Sequence, residues 1–267
     1  MSGPSFADTL SVAKAHGKNS LDPDAWTGLA ALYPFNQGGG KKLYDVAGHD
    51  LDGTLTNMDP ATDWVATEMG WTLEFDGVDQ YIALPTIGIT TEFTFSAWIY
   101  HATTGMETVF GMGYDAAEGV LFVVNDWNIQ FRVGSSESNY RVVVTVPSLQ
   151  NRWAHVCARW KKGAFTNLVV DGIYSGNALT AYDSAFAPSD RYRIGDTDDR
   201  DYPWEGKLTD LALWSRTLLL SESQHLYTAP WDMLTPRPLT LPAAAVPSSS
   251  SLLLRLQTEG LFVGSTA

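Results

Sequence analysis

The chain has 267 residues, of which 45% are hydrophobic and 18% are charged, and its formal net charge is -13 at pH 7. This length is enough to bury one large core, and all-β domains of this size are commonly single, so we expect one central domain. The acidic balance disfavours nucleic acid and anionic membrane surfaces as partners, because both attract clustered lysine and arginine. The single cysteine, Cys157, rules out an intramolecular disulfide, and we expect it to be a small buried apolar residue.

The polar stretch over residues 1–24 is interpreted as an N-terminal arm, with a short helix over residues 6–15. It lacks the apolar run after a basic start that marks a secretory signal peptide. No segment approaches the roughly 20 apolar residues of a membrane-spanning helix. We therefore expect that the chain has either lost a leader or leaves the cell inside an assembled particle. The expected location is a virion surface, and otherwise the extracellular space.

Residues 25–230 show the alternation of β-strands separated by Gly, Asn and Asp turns. Between residues 92 and 100, Phe93, Phe95 and Ile99 share one face, and a period of two over nine residues predicts a strand. Further strands are predicted over residues 29–35, 53–56, 107–112, 119–124, 128–133, 141–146, 153–160, 167–170, 192–194 and 207–214. Regular spacing of short strands predicts an all-β, antiparallel β-sandwich.

One short helix is predicted at the end of this domain. Ser221 can cap it, Gln224 stands three residues later as in a capping box, and the helix is expected to end at about Tyr227. Residues 231–267 then form a Pro/Ser-rich linker followed by an apolar, strand-prone segment. An exposed apolar terminus is costly, so we predict that this segment docks on a partner by adding a strand to a sheet edge. The alternative is that it folds back on its own sandwich.

Several short sequence motifs follow one another in the order that is typical of a known family. They read LEFDGVDQYI over residues 73–82, FTFSAWI over 93–99, WAHV over 153–156, LVVDG over 168–172 and GKLTDLAL over 206–213. Over about residues 26–228 this order resembles laminin-G-like, concanavalin A-like jelly-roll domains. The resemblance implies a sandwich that serves as a glycan-binding or assembly module and only sometimes as an enzyme.

Turn and aromatic residues in these segments have structural interpretations. Asp76-Gly77 and Asp171-Gly172 are typical of hairpin turns, in which glycine supplies a positive φ. Four tryptophans are expected to fill the space between two sheets, because a large ring suits that gap. They are Trp71, Trp98, Trp153 and Trp214.

The resemblance also implies a structural calcium ion near the sandwich rim. Calcium takes six to eight oxygen ligands, and loops rich in aspartate supply them. One candidate set is Asp76, Asp79 and Asp210, and a second is the acidic loop with Asp196, Asp198, Asp199 and Asp201. The alternative for the second set is a solvated hairpin tip whose charge is balanced by Arg200.

A glycan site is predicted at a loop that carries an aromatic ring among amides and a carboxylate. Trp127 is flanked by Asn125, Asp126 and Asn128. Tyr140 and Trp204 are two further aromatic candidates in loop-like sequence. The alternative for Trp127 is a turn residue that caps the sheet.

Catalytic patterns do not emerge from the sequence. A retaining glycosidase needs two nearby carboxylates, commonly arranged as Glu-x-Asp-x-x-Glu, and that run is missing here. Glu74 and Asp76 alternate on one strand, but Asp76 belongs to a turn. His155 has no evident Ser or Cys partner and is interpreted as structural. We therefore expect no enzymatic activity.

Together these features predict a non-enzymatic structural or adhesive protein of an assembled particle. The specific hypothesis is a bacteriophage capsid decoration or fibre-associated protein that contacts other virion subunits, or itself as a homo-oligomer, through residues 1–24 and 231–267. Surface glycans are further expected partners. The alternative is a carbohydrate-binding module with calcium-assisted glycan binding, and a glycoside hydrolase is the third hypothesis.

Overall fold

A computed structural model describes residues 26–112, 119–134, 141–147, 149–178, 182–184, 192–197 and 202–230. The strands are β1 (Leu29–Tyr33), β2 (Lys42–Leu43), β3 (Gly53–Thr56), β4 (Trp64–Thr67), β5 (Gly70–Asp76), β6 (Tyr81–Leu84), β7 (Glu92–His101), β8 (Met106–Met112), β9 (Val120–Asn125), β10 (Asn128–Val133), β11 (Arg141–Thr145), β12 (Trp153–Lys161), β13 (Phe165–Val170), β14 (Ile173–Asn177), β15 (Tyr192–Ile194) and β16 (Glu205–Trp214). One helix, α1 (Leu220–Thr228), follows the last strand.

The strands form two antiparallel sheets. The first has the order β14-β13-β12-β7-β16-β5-β4, with β1 also paired to β16, and the second has the order β11-β10-β9-β8-β15-β6-β3-β2. Consecutive strands pair at the ends of each sheet, and the central pairs β12–β7, β7–β16, β16–β5, β8–β15 and β15–β6 join segments that are distant in sequence, as in jelly rolls. The predicted all-β jelly-roll sandwich is therefore confirmed.

The core lies between the two sheets and is rich in aromatic side chains. Phe95, which is fully buried on β7, packs against Phe110 and Phe122 of the second sheet with ring centroids 5.0 and 5.2 Å apart. Phe93 contacts Phe131 of the second sheet and its own sheet neighbour Trp160, at 5.8 Å each. Burying a phenylalanine side chain contributes about 1.5 to 3 kcal/mol, so these contacts join the sheets firmly.

The outer face of the first sheet is covered in part by α1. Leu226 of the helix packs with Trp214 and Leu218 in a second apolar cluster, and Tyr227 stacks on Trp98 with ring centroids 5.7 Å apart. Arg159 is mostly buried beneath the segment leading to the helix and donates to the Leu218 carbonyl at 3.0 Å. The helix therefore closes a smaller core on the side away from the second sheet.

The helix begins two residues earlier than predicted, and its capping box uses Glu222 instead of Gln224. Leu219 is the N-cap residue, and its backbone N–H donates to the Glu222 carboxylate at 2.5 Å. Ser221 is therefore inside the first turn. Partial burial alone would raise the pKa of Glu222, but hydrogen bonds from Arg216 and Leu219 outweigh that effect and lower it. A carboxylate at this end of a helix is favourable because of the helix dipole.

Two sequence interpretations need correction. Asp76-Gly77 was predicted to close a hairpin, but β5 lies in the first sheet and β6 in the second, so this turn carries the chain between the sheets. Trp71 was predicted to be core, but its position on β5 faces outward and 41% of the residue is exposed. Trp98 and Trp153 are also only partly buried and lie on the outer face, because the alternation of β7 and β12 turns their neighbours Ala97, Ile99 and Ala154 toward the core instead.

Other interpretations are confirmed. Asp171-Gly172, with φ of 49° and 73°, closes the β13–β14 hairpin. Trp214 and Cys157 are fully buried. Within the described part of the chain, no helix is long and apolar enough to cross a bilayer. The predictions for residues 1–24 and 231–267, Tyr140, Asp198, Asp199 and Asp201 fall outside the described residues.

Candidate functional site

Trp127 sits at the tip of the β9–β10 hairpin. Asn125 pairs with Asn128, so Asp126 and Trp127 are the two turn residues, and Asp126 has the positive φ of 55° that such tight turns require. Asp126 is well suited to this conformation because aspartate tolerates the left-handed region better than most residues. The turn leaves Trp127 53% exposed, which is a large apolar ring facing solvent.

The hairpin tip is held rigidly on both sides. The Asp126 backbone N–H donates to the Gly105 carbonyl, and the Asp126 carboxylate accepts from the Gly105 N–H, each at 3.0 Å. On the other side, the Val146 N–H donates to the Trp127 carbonyl at 2.7 Å. Asn128 Oδ1 accepts from the Thr145 hydroxyl at 2.8 Å. The tip is therefore fixed before any ligand arrives.

A cleft opens beside the Trp127 ring, and we refer to it as the Trp127 cleft. It has a volume of about 550 Å³ and is lined by Trp127, Thr145, Pro147, Gln150 and Asn151. The lining combines an exposed indole, a proline ring, a hydroxyl and two amides. Sugars present flat C–H faces together with many hydroxyls, so this combination matches their chemistry.

The two amides of the cleft lie on the loop that leads into β12. Gln150 Nε2 donates to the Thr103 carbonyl, which orients the amide and leaves its Oε1 as an acceptor. The Asn151 backbone N–H donates to the His101 carbonyl at 2.9 Å. Asn151 has a φ of 55° and is exposed at the surface of the loop. The amide groups of both side chains can accept hydrogen bonds from sugar hydroxyls through oxygen and donate to them through nitrogen.

The structure separates the predicted glycan residues. The four residues of the hairpin stay together: Asp126 and Trp127 form the turn, and the paired residues Asn125 and Asn128 flank it. Trp204 is instead fully buried and packs against His101 with ring centroids 5.4 Å apart, so its ring cannot serve as a glycan platform in this structure. Thr145, Pro147, Gln150 and Asn151 were not predicted. They reach Trp127 through the β10–β11 pairing, in which Asn128 faces Thr145.

The first candidate calcium set does not form a ligand group. Asp76 Oδ1 accepts from the Val78 N–H at 2.9 Å, and Asp79 Oδ2 accepts from Asn57 Nδ2 at 2.9 Å. Asp210 lies within β16 with its Oδ2 buried. Among the described residues no three acidic, histidine or cysteine side chains are grouped to hold a metal. These three residues therefore do not fit a calcium ion.

The second candidate calcium set is described only at Asp196. Its carboxylate is buried, Oδ1 accepts from the Thr197 N–H at 2.7 Å, and Oδ2 lies 3.7 Å from Arg193 Nη1. An arginine at this distance already compensates the negative charge. Any further calcium ligands in this loop would have to be supplied by residues outside the described ranges.

A buried polar cluster lies between the first sheet and α1. Ser96 Oγ and His155 Nε2 are 2.9 Å apart, so His155 does have a serine neighbour, contrary to the sequence interpretation. Burial lowers the pKa of His155 to about 3, and the ring is neutral at pH 7. Ser96 and His155 are 3% and 1% exposed, so this pair cannot reach a substrate. The two residues line one small cavity together with Asp210.

The burial of Asp210 predicts that the stability of the fold depends on pH. Its Oδ2 is buried without a hydrogen-bond partner among the described residues, and burial raises the pKa of this carboxyl well above its usual value. The folded protein therefore retains this proton while the unfolded chain releases it, so stability falls as pH rises above the unfolded pKa of about 4. We expect Asp210→Asn to raise the free energy of unfolding at pH 7 by on the order of 1 kcal/mol.

The measurement is urea unfolding of both proteins at pH 7 and near pH 4. The gain of Asp210→Asn should shrink at the lower pH, where the unfolded carboxyl is also protonated. Asn tolerates the φ of 52° at this position, so backbone strain does not enter the comparison. A gain of equal size at both pH values would contradict burial of the charge as the cause.

Comparisons with known proteins agree with the architecture. The profile of a family described as the concanavalin A-like lectin/glucanases superfamily matches residues 76–222, a range that includes the Trp127 cleft and more than half of the chain. No curated protein matches the chain in sequence.

Three solved structures illustrate the fold. Trypanosoma rangeli sialidase in complex with sialic acid aligns with TM-score 0.58 and 17% identity over 78% of this chain and 34% of that one. Domain 4 of AbnA, a GH43 extracellular arabinanase from Geobacillus stearothermophilus in complex with arabinotriose, aligns with TM-score 0.54 and 20% identity over 74% of this chain and 98% of that one. The receptor binding domain of botulinum neurotoxin mosaic serotype C/D aligns with TM-score 0.59 and 13% identity over 77% and 51%. The chain thus spans about a third of the sialidase, and at these identities the likeness shows the fold.

Proposed function

Because the chain belongs to the concanavalin A-like lectin/glucanase superfamily, we propose that it is a non-enzymatic module that binds glycans through the Trp127 cleft. The observation that carries this proposal is the Trp127 ring, 53% exposed on a hairpin tip that is hydrogen-bonded on both sides. An exposed indole of this size offers a flat apolar face on which a sugar ring can stack. Two of the structures with this fold are described in complex with sialic acid and arabinotriose, which supports sugars as the class of ligand.

The rigidity of the cleft supports binding energetically. Ligand binding costs free energy when loops and side chains must be ordered, and a preformed site avoids most of that cost. Here the Asp126–Gly105 and Val146–Trp127 backbone hydrogen bonds fix the platform, and the Gln150–Thr103 hydrogen bond fixes one amide. A sugar can therefore stack on the indole and hydrogen-bond to the amides without reorganising the loop.

The absence of catalysis is part of the proposal. Hydrolysis by the common two-carboxylate mechanism needs an acid and a second carboxylate on either side of the bond. Among the described residues that line the Trp127 cleft, none is acidic. The nearest carboxylate in sequence, Asp126, is held by Gly105. Reducing-sugar release from a broad panel of polysaccharides tests this point, and release by the pure protein at a rate above a heat-inactivated control would contradict it.

Binding itself is tested with the full chain on an array of neutral and acidic glycans. We expect retention on at least one class of glycan, and competition by the same glycan in solution. A full chain that folds cooperatively and binds no member of a broad array would overturn the proposal. The role of Trp127 is then tested by substitution, as argued in the Discussion.

A role in an assembled particle is a second candidate that rests on the sequence of the termini. Residues 1–24 and 231–267 flank the sandwich, and the apolar stretch near residues 252–263 is suited to docking on a partner. In such a particle the sandwich would present the Trp127 cleft as an adhesive site, while the termini would tether it to virion subunits or to further copies of itself. A capsid decoration or fibre-associated protein of a bacteriophage fits that description.

Light scattering tests this second candidate. The full chain is expected to form a defined oligomer, whereas a chain that ends at Pro230 is expected to be monomeric. A full chain that stays monomeric at all concentrations would contradict self-assembly through the termini, and it would leave glycan binding unaffected.

The structural calcium ion stays a prediction for the loop that begins at Asp196. An ion that binds the folded state alone raises the melting temperature by mass action. We therefore expect calcium at millimolar concentration to raise the melting temperature relative to EDTA, with magnesium as the control ion. An unchanged melting temperature would contradict the calcium prediction and agree with Arg193 as the partner that compensates Asp196.

A further inference from the structure

A second open cleft lies on the outer face of the first sheet, and we refer to it as the Tyr100 cleft. Its volume is about 600 Å³, and its lining includes Met69, Tyr100, Asn151, Arg152, Trp153 and Lys207. The strands β7, β12 and β16 supply its floor, and the β4–β5 turn supplies one wall. The cleft is thus built by four parts of the fold that are distant in sequence.

The Tyr100 cleft and the Trp127 cleft adjoin each other. Asn151 is exposed and lines both of them. The residue before it, Gln150, lines the Trp127 cleft, and the residues after it, Arg152 and Trp153, line the Tyr100 cleft. A ligand that follows this short segment therefore passes from one cleft into the other over the Asn151 side chain.

The floor of the Tyr100 cleft is aromatic. Tyr100 on β7 faces Trp153 on β12 in the sheet register, and the ring centroids are 5.6 Å apart at an angle of 64°. Lys207 Nζ lies 4.9 Å from the Tyr100 ring centroid, so a cation covers part of the ring. Both aromatic residues stay partly exposed. These rings offer a second stacking surface beyond Trp127.

Carboxylates compensate the two cations that line the Tyr100 cleft, and the exposed carboxylate of Glu68 adds a negative charge to its lining. Arg152 Nη1 lies 2.9 Å from Asp171 Oδ2, and Lys207 Nζ lies 2.7 Å from Glu74 Oε1. An acidic sugar would have to displace these carboxylates, and the net charge of -13 would also repel it. A neutral sugar can instead use the rings and the Asn151 amide without breaking an ion pair.

From these observations we infer that the two clefts form one binding track for a linear, neutral oligosaccharide. The inference rests on the proposed function of the Trp127 cleft and adds the class of ligand to it. One end of the oligosaccharide stacks on Trp127, the chain passes Asn151, and the other end lies against Tyr100 and Trp153. Because both ends are held by one preformed surface, affinity depends on the length of the ligand.

Calorimetric titration of the full chain tests this inference. The probes are linear arabino-, xylo- and cello-oligosaccharides of two, three and six units, together with sialyllactose. We expect at least one neutral hexasaccharide to bind about tenfold or more tightly than the disaccharide of the same series. Sialyllactose is expected to bind more weakly than that hexasaccharide.

Two variants of the Tyr100 cleft separate its role from that of Trp127. Trp153→Ala removes one ring, and Met69→Arg places a long charged side chain in the cleft from a partly exposed turn position that lies outside the apolar core. Each is expected to reduce hexasaccharide affinity to the disaccharide level and to leave disaccharide affinity unchanged. Trp71→Ala, which removes an exposed tryptophan that lines neither cleft, is the matched control and should bind like the original protein.

The possible results distinguish the two proposals. Equal affinity for short and long ligands, or full hexasaccharide affinity in Met69→Arg, overturns the track and leaves the Trp127 cleft as the binding site. Tighter binding of sialyllactose than of every neutral probe overturns the assignment to neutral sugars. No binding of any probe overturns the track, and no binding on the broader glycan array overturns the proposed function as well.

Discussion

Replacing Trp127 with alanine is expected to lower glycan affinity about thirtyfold, or on the order of 2 kcal/mol, while the fold stays intact. The loss follows from removal of the exposed ring on which a sugar stacks. The fold is spared because Trp127 is a turn residue whose ring is 53% exposed and lies outside the core. Calorimetric titration with the tightest neutral oligosaccharide measures the affinity, and thermal unfolding measures the stability.

Trp71→Ala is the matched control for this substitution. Trp71 is 41% exposed, so its removal deletes a similar exposed ring elsewhere on the sandwich. It should leave the affinity within about twofold of the original protein. If both variants lost affinity equally, a general loss of exposed aromatic surface would be the cause. If Trp127→Ala bound as tightly as the original protein, the binding site would lie elsewhere.

Replacing Gly206 with alanine is expected to destabilise the fold by about 3 kcal/mol or more. Gly206 lies on β16 between β5 and β7, with a φ of 147°. A Cβ atom at this position would lie 2.1 Å from the Tyr100 carbonyl oxygen, which belongs to the central strand β7. Because the obstacle is backbone rather than a flexible side chain, two strands would have to separate.

Gly88→Ala is the control for the glycine substitution. Gly88 is exposed, has no positive φ, and an added Cβ would meet no atom within 4 Å. Urea unfolding should therefore give a change of less than about 0.5 kcal/mol for Gly88→Ala. A Gly206→Ala protein as stable as the Gly88→Ala protein would show that β16 and β7 are less closely packed than the structure indicates.

The strands were predictable where alternation and turn residues agree. Residues 53–56, 128–133 and 192–194 were predicted with the bounds that the structure shows, because polar or glycine turns flank short apolar runs. β14 (Ile173–Asn177) was missed, since it is an edge strand with an exposed Ile173 and carries no inward-facing apolar pattern. β4 (Trp64–Thr67), which has four residues and also lies at a sheet edge, was missed as well.

Contacts between distant segments could not be read from local sequence. Trp127 was predictable as a glycan-site residue because its polar neighbours and its turn are local features of the sequence. The amides of Gln150 and Asn151 stand more than twenty residues away and reach the cleft through the register of β10 and β11 and through hydrogen bonds to the Thr103 and His101 carbonyls. His155 and Ser96 are likewise brought together by the pairing of β12 with β7. The path of the turn at Asp76-Gly77 depends on which sheet receives β6, a choice made by the whole core.

Oxidative footprinting of the full chain, with and without a saturating neutral oligosaccharide, can locate the surface that binds the glycan. Trp127 and Trp71 are exposed enough to be oxidised in the free protein, so each reports on its own surface. We predict that the ligand protects Trp127 and the peptide over residues 145–151, while Trp71 is oxidised at its original rate. Unchanged oxidation of Trp127 under conditions where the ligand is bound would contradict the Trp127 cleft as the glycan site.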